Sequence, residues 1–246
     1  MGLIDDLLSV LLPGDIVEVS IGLRWTAAVA VIENGRQQCG LASTLSVDHM
    51  HGETDVPQAG KLEATSSADL AALIRSDKLT LSSVGMAVIN ALIPHQPERW
   101  VEKNAVEVIA ELGEKRKVVV IGHFPFVERL KAQVGELFVL ERQPFEGDLP
   151  IAAGQEIIPQ AEVVAITGMA LINKSLENLL RLCEPQTKVI LVGPSVPLHP
   201  VLFDYGIDML AGSFVERIDT VLKVVRQGGN FRQVRQAGVA LVTMEC

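Results

Sequence analysis

What this chain of 246 residues lacks narrows its function first. It holds three cysteines, Cys39, Cys183 and Cys246, too few and too scattered for a disulfide framework or a zinc knuckle, and the odd count fits a reducing compartment. It has no block of basic residues: 21 Lys and Arg stand against 30 Asp and Glu, a formal net charge of −9. Affinity for nucleic acid comes chiefly from cationic contacts to phosphates, so DNA and RNA are not expected partners. No apolar run approaches the roughly 20 residues that cross a bilayer, and Met1-Gly2-Leu3-Ile4-Asp5-Asp6 is acidic where a secretory signal is basic. Asp6 also stands where a myristoylation signal wants Ser or Thr. The expectation is a cytoplasmic protein without membrane insertion. Without a secretion signal, Asn173-Lys174-Ser175 has no route to glycosylation, and Asn173 is read for its amide.

Nucleotide motifs are missing too. A dinucleotide site needs Gly-x-Gly-x-x-Gly after the first strand of a parallel sheet, and the chain has Gly122-His123-Phe124-Pro125-Phe126-Val127 there. No Gly-x-x-x-x-Gly-Lys, Gly-x-Ser-x-Gly or His-Glu-x-x-His occurs. A nucleotide- or S-adenosylmethionine-dependent transferase therefore ranks below other readings.

What is present is a large apolar content, 48% of residues, enough for one large core or two modest ones. Residues 16–21 alternate apolar and polar, 25–33 are rich in Ala, Val and Ile, and Glu33-Asn34-Gly35-Arg36 signals a hairpin into 37–41; together they predict a three-strand meander. Residues 42–67 show no period and read as a long polar loop. Residues 68–75, 79–93 and 102–112 read as helices. From there, apolar runs at 117–121, 137–140, 163–166, 189–192 and 207–210 alternate with helical patterns at 126–132, 151–158, 171–182, 199–205 and 214–226. Such β-α units predict a doubly wound parallel sheet. The division is placed near residue 113, giving 1–113 as an α+β domain and 114–246 as an α/β domain. The 239–242 run fits an edge strand or a helix end equally well.

In open parallel sheets, ligands meet the carboxyl ends of the strands. The residues there are Gly122-His123-Phe124-Pro125, Glu141-Arg142, Thr167-Gly168, Gly193-Pro194-Ser195-Val196-Pro197 and Ala211-Gly212. His123 is an imidazole at a strand end, able to act as acid, base or ligand, or to serve only as packing in a loop. Glu141 and Arg142 offer a carboxylate and a guanidinium to the same crevice, or pair at the surface. Thr167 and Gly168 offer a hydroxyl and free N–H groups, and equally an ordinary helix start. Asn173 caps that helix or faces a ligand. Pro194 and Pro197 stiffen a wall carrying the Ser195 hydroxyl. In the first part, Ser83, Ala87 and Asn90 form a small or polar stripe on an apolar helix, so Asn90 needs buried partners or a cleft. Asp48-His49-Met50-His51-Gly52-Glu53 has spacing by which His49 and His51 ligate a transition metal, though polar loops produce such clusters by chance.

These strand-end motifs resemble a bacterial and archaeal family associated with heavy-metal chelation. The likeness runs through Val120-Ile121-Gly122-His123-Phe124-Pro125, Leu140-Glu141-Arg142 with Glu146-Gly147-Asp148-Leu149-Pro150, Ile166-Thr167-Gly168, and Leu191-Val192-Gly193-Pro194-Ser195-Val196-Pro197-Leu198 with Val201-Leu202-Phe203. In the first part it rests on Cys39-Gly40-Leu41 and residues 83–91. The resemblance implies an enolase-amino-terminal-like α+β domain joined to a Rossmann-like domain, with an active site in the cleft between them. It also implies handling of a metal or its organic chelator, and carries over Asn90, His123, Glu141, Thr167, Gly168, Gly193, Pro194 and Ser195. The chain departs from the family at Val196, where Thr is frequent, and at Lys174-Ser175, where Gly-Thr or Gly-Ser is frequent.

The leading expectation is a protein that binds or processes a small anionic organic ligand, a metal chelator or its precursor, with His123 and Glu141 as the catalytic candidates. Asn90, Phe124, Arg142, Thr167, Gly168, Asn173, Gly193, Pro194, Ser195, Pro197 and Gly212 are the ligand-binding candidates. The only cofactor suggested is a transition metal carried by the chelator, and whether the chain is an enzyme stays open. The alternative is a non-catalytic sensor or carrier working with a metal-uptake transporter; a homo-oligomer is compatible with either.

Overall fold

The computed structural model describes residues 2–46, 54–101 and 103–246. The His49 and His51 pair lies outside the described residues. β1 (Gly14–Ile21), β2 (Trp25–Ile32) and β3 (Gln37–Ser43) form an antiparallel sheet in sequential order, the expected meander. The central β2 is apolar at nearly every position because both of its faces are covered. Ala27 and Val29 pack with Val221, Leu222 and Val225 of the Ile218–Arg226 helix. Ala28 and Ala30 turn to the opposite face, in the same core as the Leu79–Leu92 helix.

That long helix is apolar almost all round, and it is buried almost all round, as such a composition requires. Its close fit depends on glycine. A Cβ at Gly40 of β3 would lie 2.1 Å from the Ala87 carbonyl oxygen and 2.3 Å from the Ala91 nitrogen, so only glycine lets strand and helix approach so closely. The buried Ser82 hydroxyl donates to the carbonyls of Ile74 (3.0 Å) and Ile172 (2.7 Å).

The second sheet comprises β4 (Trp100–Val101), β5 (Lys117–Ile121), β6 (Glu136–Glu141), β7 (Leu149–Pro150), β8 (Val163–Thr167), β9 (Lys188–Val192), β10 (Met209–Val215) and β11 (Val239–Glu245). Its order is β4-β11-β10-β9-β8-β5-β6-β7. β10 through β7 run parallel, and β11 is antiparallel to both β10 and β4. The mixed α/β class is as expected. Val118 and Val120 face one core cluster while Val119 and Ile121 face another, which is why this strand is a continuous apolar run. After β5 the chain moves outward to β6 and β7, and after β8 it moves the opposite way to β9 and β10. The adjacent carboxyl ends of β5 and β8 are therefore the topological switch point.

Several expected boundaries shift. β10 continues to Val215, so Gly212 lies inside a strand and the following helix begins at Ile218. The expected helix at 171–182 is two short ones, Met169–Ile172 and Leu176–Leu180, broken where Lys174 adopts a φ of +62°. The 239–242 run belongs to β11, with β4 outside it. Among the described residues no helix is long and apolar enough to cross a membrane.

Candidate functional site

At the carboxyl ends of β5 and β9, the glycines that follow the strands have positive φ, Gly122 at +105° and Gly193 at +118°, conformations that glycine adopts without strain. The Phe124 ring lies over them: a Cβ on Gly122 would be 3.4 Å from Phe124 Cε2, and one on Gly193 4.0 Å from Cε1. The ring also stacks on Phe126, with centroids 4.8 Å apart. An aromatic plate thus occupies the crevice in which a Rossmann-type site would seat a pyrophosphate.

The expected free N–H groups are engaged. Gly122 donates to the Leu140 carbonyl, Gly168 to that of Val192 and Gly193 to that of Ala211, each at 2.9 Å, because the parallel ladder continues one residue past each strand. Met169 N–H donates to Thr167 Oγ1 at 3.3 Å. Thr167 therefore serves a helix start, and these glycines present no open anion nest.

His123 is held at two points. Its backbone N–H donates to Glu141 Oε2 at 3.1 Å, while Glu141 Oε1 accepts from Arg142 N–H at 3.0 Å. Its ring Nδ1 lies 2.9 and 3.0 Å from the two oxygens of Asp148. Asp148 reaches this position because Leu149–Pro150 pairs with the end of β6, and because Phe145 to Asp148 forms a turn with Gly147 at a φ of +92°. The Asp148 side chain is 3% exposed and also accepts from Phe145 N–H at 3.1 Å; the His123 side chain is 33% exposed. The Phe145 ring, 65% exposed, flanks the imidazole at 5.0 Å between centroids. Among the described residues, His123 Nε2 and the Arg142 guanidinium have no hydrogen bond or ion pair.

The other strand-end loop looks inward. Ser195 is 2% exposed; its Oγ accepts from Ser43 N–H at 2.9 Å and donates to Ser43 Oγ at 3.2 Å. Asn90 Nδ2 donates to the carbonyls of Leu41 (2.8 Å) and Ser195 (3.3 Å), while its buried Oδ1 has no partner. Ser213 Oγ donates to the Pro194 carbonyl at 3.2 Å, and Pro197 is buried. Glycines permit the crossing, since a Cβ on Gly168 would lie 2.9 Å from Val196 N and one on Gly212 2.8 Å from the Val196 oxygen. These residues form a seam joining β3 and the long helix to the second sheet.

Asn173 belongs to neither group. Its Oδ1 accepts from the Ser175 N–H (3.1 Å) and hydroxyl (2.6 Å), fixing the break between two short helices. A cavity of about 220 Å³ lies nearby, lined by Leu3, Ile4, Leu171, Lys174, Glu177 and Arg181, and contains no strand-end residue. Its polar rim is self-paired, Lys174 with Asp77 and Arg181 with Glu177 and Asn178.

Burial pushes the Cys39 thiol up to about 12 and the Cys183 thiol up to about 11, so neither is a thiolate at neutral pH. Among the described residues no three His, Cys, Asp or Glu side chains cluster as a metal site. Asp148 was missed as a site residue although it lies within a motif already noted; only the return of β7 to β6 brings it under His123.

Two family models, each described as "Putative heavy-metal chelation", match residues 4–93 and 104–243. An uncharacterized protein of Methanocaldococcus jannaschii is 27% identical over 217 residues, 84% of this chain and 81% of that one. The solved structure of a protein of unknown function from Desulfitobacterium hafniense superposes with a TM-score of 0.83 at 27% identity, covering 99% of this chain and 98% of that one. One from Pyrococcus horikoshii, also of unknown function, does so with a TM-score of 0.82 at 18% identity, covering 99% and 98%, a likeness of fold alone.

Proposed function

Because the chain belongs to the family so described, we propose that it binds or processes a small anionic organic ligand, a heavy-metal chelator or its precursor. The ligand lies over the loops that follow β5 and β6, beside the seam, in the cleft expected between the two parts of the chain. The observation that carries this reading is His123, anchored through its backbone by Glu141 and through its ring by Asp148, with Nε2 left unengaged at the switch point. Arg142, following Glu141 with no counter-charge of its own, supplies the attraction for the ligand's carboxylates. Phe124, Phe126 and Phe145 supply apolar walls.

Within this reading, Glu141 positions rather than reacts, since each of its oxygens already accepts a backbone N–H. Calorimetric titration with free Ni(II) and with its anionic nitrilotriacetate complex tests the reading. The complex should bind, and binding should weaken in His123→Ala and in Arg142→Ala. Heat from free Ni(II) alone, unchanged in both variants, would refute it.

A further inference from the structure

We propose that Asp148 is a positioning residue that fixes the tautomer of His123, so that Nε2 is a lone-pair donor to a metal already held by an organic chelator with an open coordination position. This deepens the reading above and rests on it.

An ionised carboxylate accepts and does not donate, so a ring nitrogen 2.9 and 3.0 Å from both Asp148 oxygens carries the proton. With Nδ1 protonated, the neutral imidazole has its free lone pair on Nε2. Asp148 is well placed for this task. Its side chain is almost fully buried, and Oδ2 is held by Phe145 N–H in a tight turn, so the carboxylate does not swing away. The Phe145 ring flanks the imidazole and limits its rotation.

A carboxylate bonded to one nitrogen of a histidine whose other nitrogen faces outward is the arrangement that orients metal-binding histidines and raises their basicity. Here it presents a single oriented nitrogen, and one donor completes a partly filled coordination sphere. The neighbouring Arg142 favours a complex of net negative charge. The cargo class is therefore an anionic transition-metal chelate with at least one exchangeable position.

Two measurements test this. Long-range ¹H–¹⁵N correlation spectra of histidine-labelled protein, with His123 assigned by its loss in His123→Ala, should show the Nδ1–H form in the wild type and a shift toward Nε2–H in Asp148→Asn. Titration with Ni(II)–nitrilotriacetate, which has open positions, and Ni(II)–EDTA, which has none, should show binding of the first complex only. That binding should be lost in His123→Ala and weakened about tenfold or more in Asp148→Asn. An Nε2–H wild type would overturn the proposal, as would open-complex binding that survives His123→Ala. Equal binding of both complexes would overturn it while leaving the anionic-chelate reading intact; binding of neither would remove both.

Discussion

The two halves of the carboxyl ledge hold equivalent places in the sheet and have opposite characters. Past β8 and β9, Gly168, Pro194, Ser195 and Pro197 face inward, and the Ser195 hydroxyl and carbonyl are tied to Ser43 and Asn90 of the first part. Past β5 and β6, His123, Arg142 and Phe145 face outward with unengaged atoms. Equivalent topology therefore does not imply equivalent use. One loop pair joins the two parts of the chain, and the other leaves the His123 Nε2 and the Arg142 guanidinium without partners among the described residues.

If that division is correct, variants in the seam lose stability and variants on the outward side lose binding. The largest effect should come from Gly40→Ala, whose new methyl would meet backbone atoms that cannot yield. A loss of about 3 kcal/mol or more in chemical denaturation is expected. Next comes acid sensitivity at His95, whose ring packs against Trp100 and Phe214 and is pushed down to about 4, first by burial and then by the Arg36 charge. The unfolded imidazole takes up its proton near 6.5 and the folded one does not. Stability should thus be complete above that value and fall by about 3 kcal/mol as pH drops to 4. Denaturation curves across this range should flatten in His95→Phe.

Ser195→Ala leaves the half-buried Ser43 N–H without its acceptor and should cost about 1 kcal/mol in the same assay, with the His123 ring signals unmoved. On the outward side, His123→Ala should change stability by less than about 0.5 kcal/mol, because the imidazole is partly solvated. A larger loss there would blur the comparison. Smallest, and opposite in sign, Lys174→Gly should stabilise by roughly 0.5 kcal/mol, relieving a left-handed lysine at the cost of an exposed pair with Asp77.

This pattern explains what could be read in the sequence. Strands such as 117–121 and 163–166 were legible because burial on both faces leaves an apolar run. The ledge positions followed from those strands. Whether a ledge residue faces inward or outward was not legible, because it depends on long-range partners: Ser43 for Ser195, and Asp148 for His123. β10 runs past Leu210 for a similar reason, since Ala211 to Val215 pair with β11, some 30 residues on. The break at Lys174 was visible only as a departure from the family pattern that the sequence resembles, in which the resemblance implies a glycine there. The structure shows that position in the conformation glycine prefers.

Paramagnetic broadening by Cu(II)–nitrilotriacetate, a net-negative chelate with an open position, tests the central claim most directly, since the ion marks the amides nearest its binding position. In ¹H–¹⁵N spectra the amide signals of the non-proline residues within 123–126 and 141–148 should disappear first, and should return in His123→Ala. Broadening centred on the cavity beside Leu3, Lys174 and Arg181, or broadening that persists in His123→Ala, would contradict it.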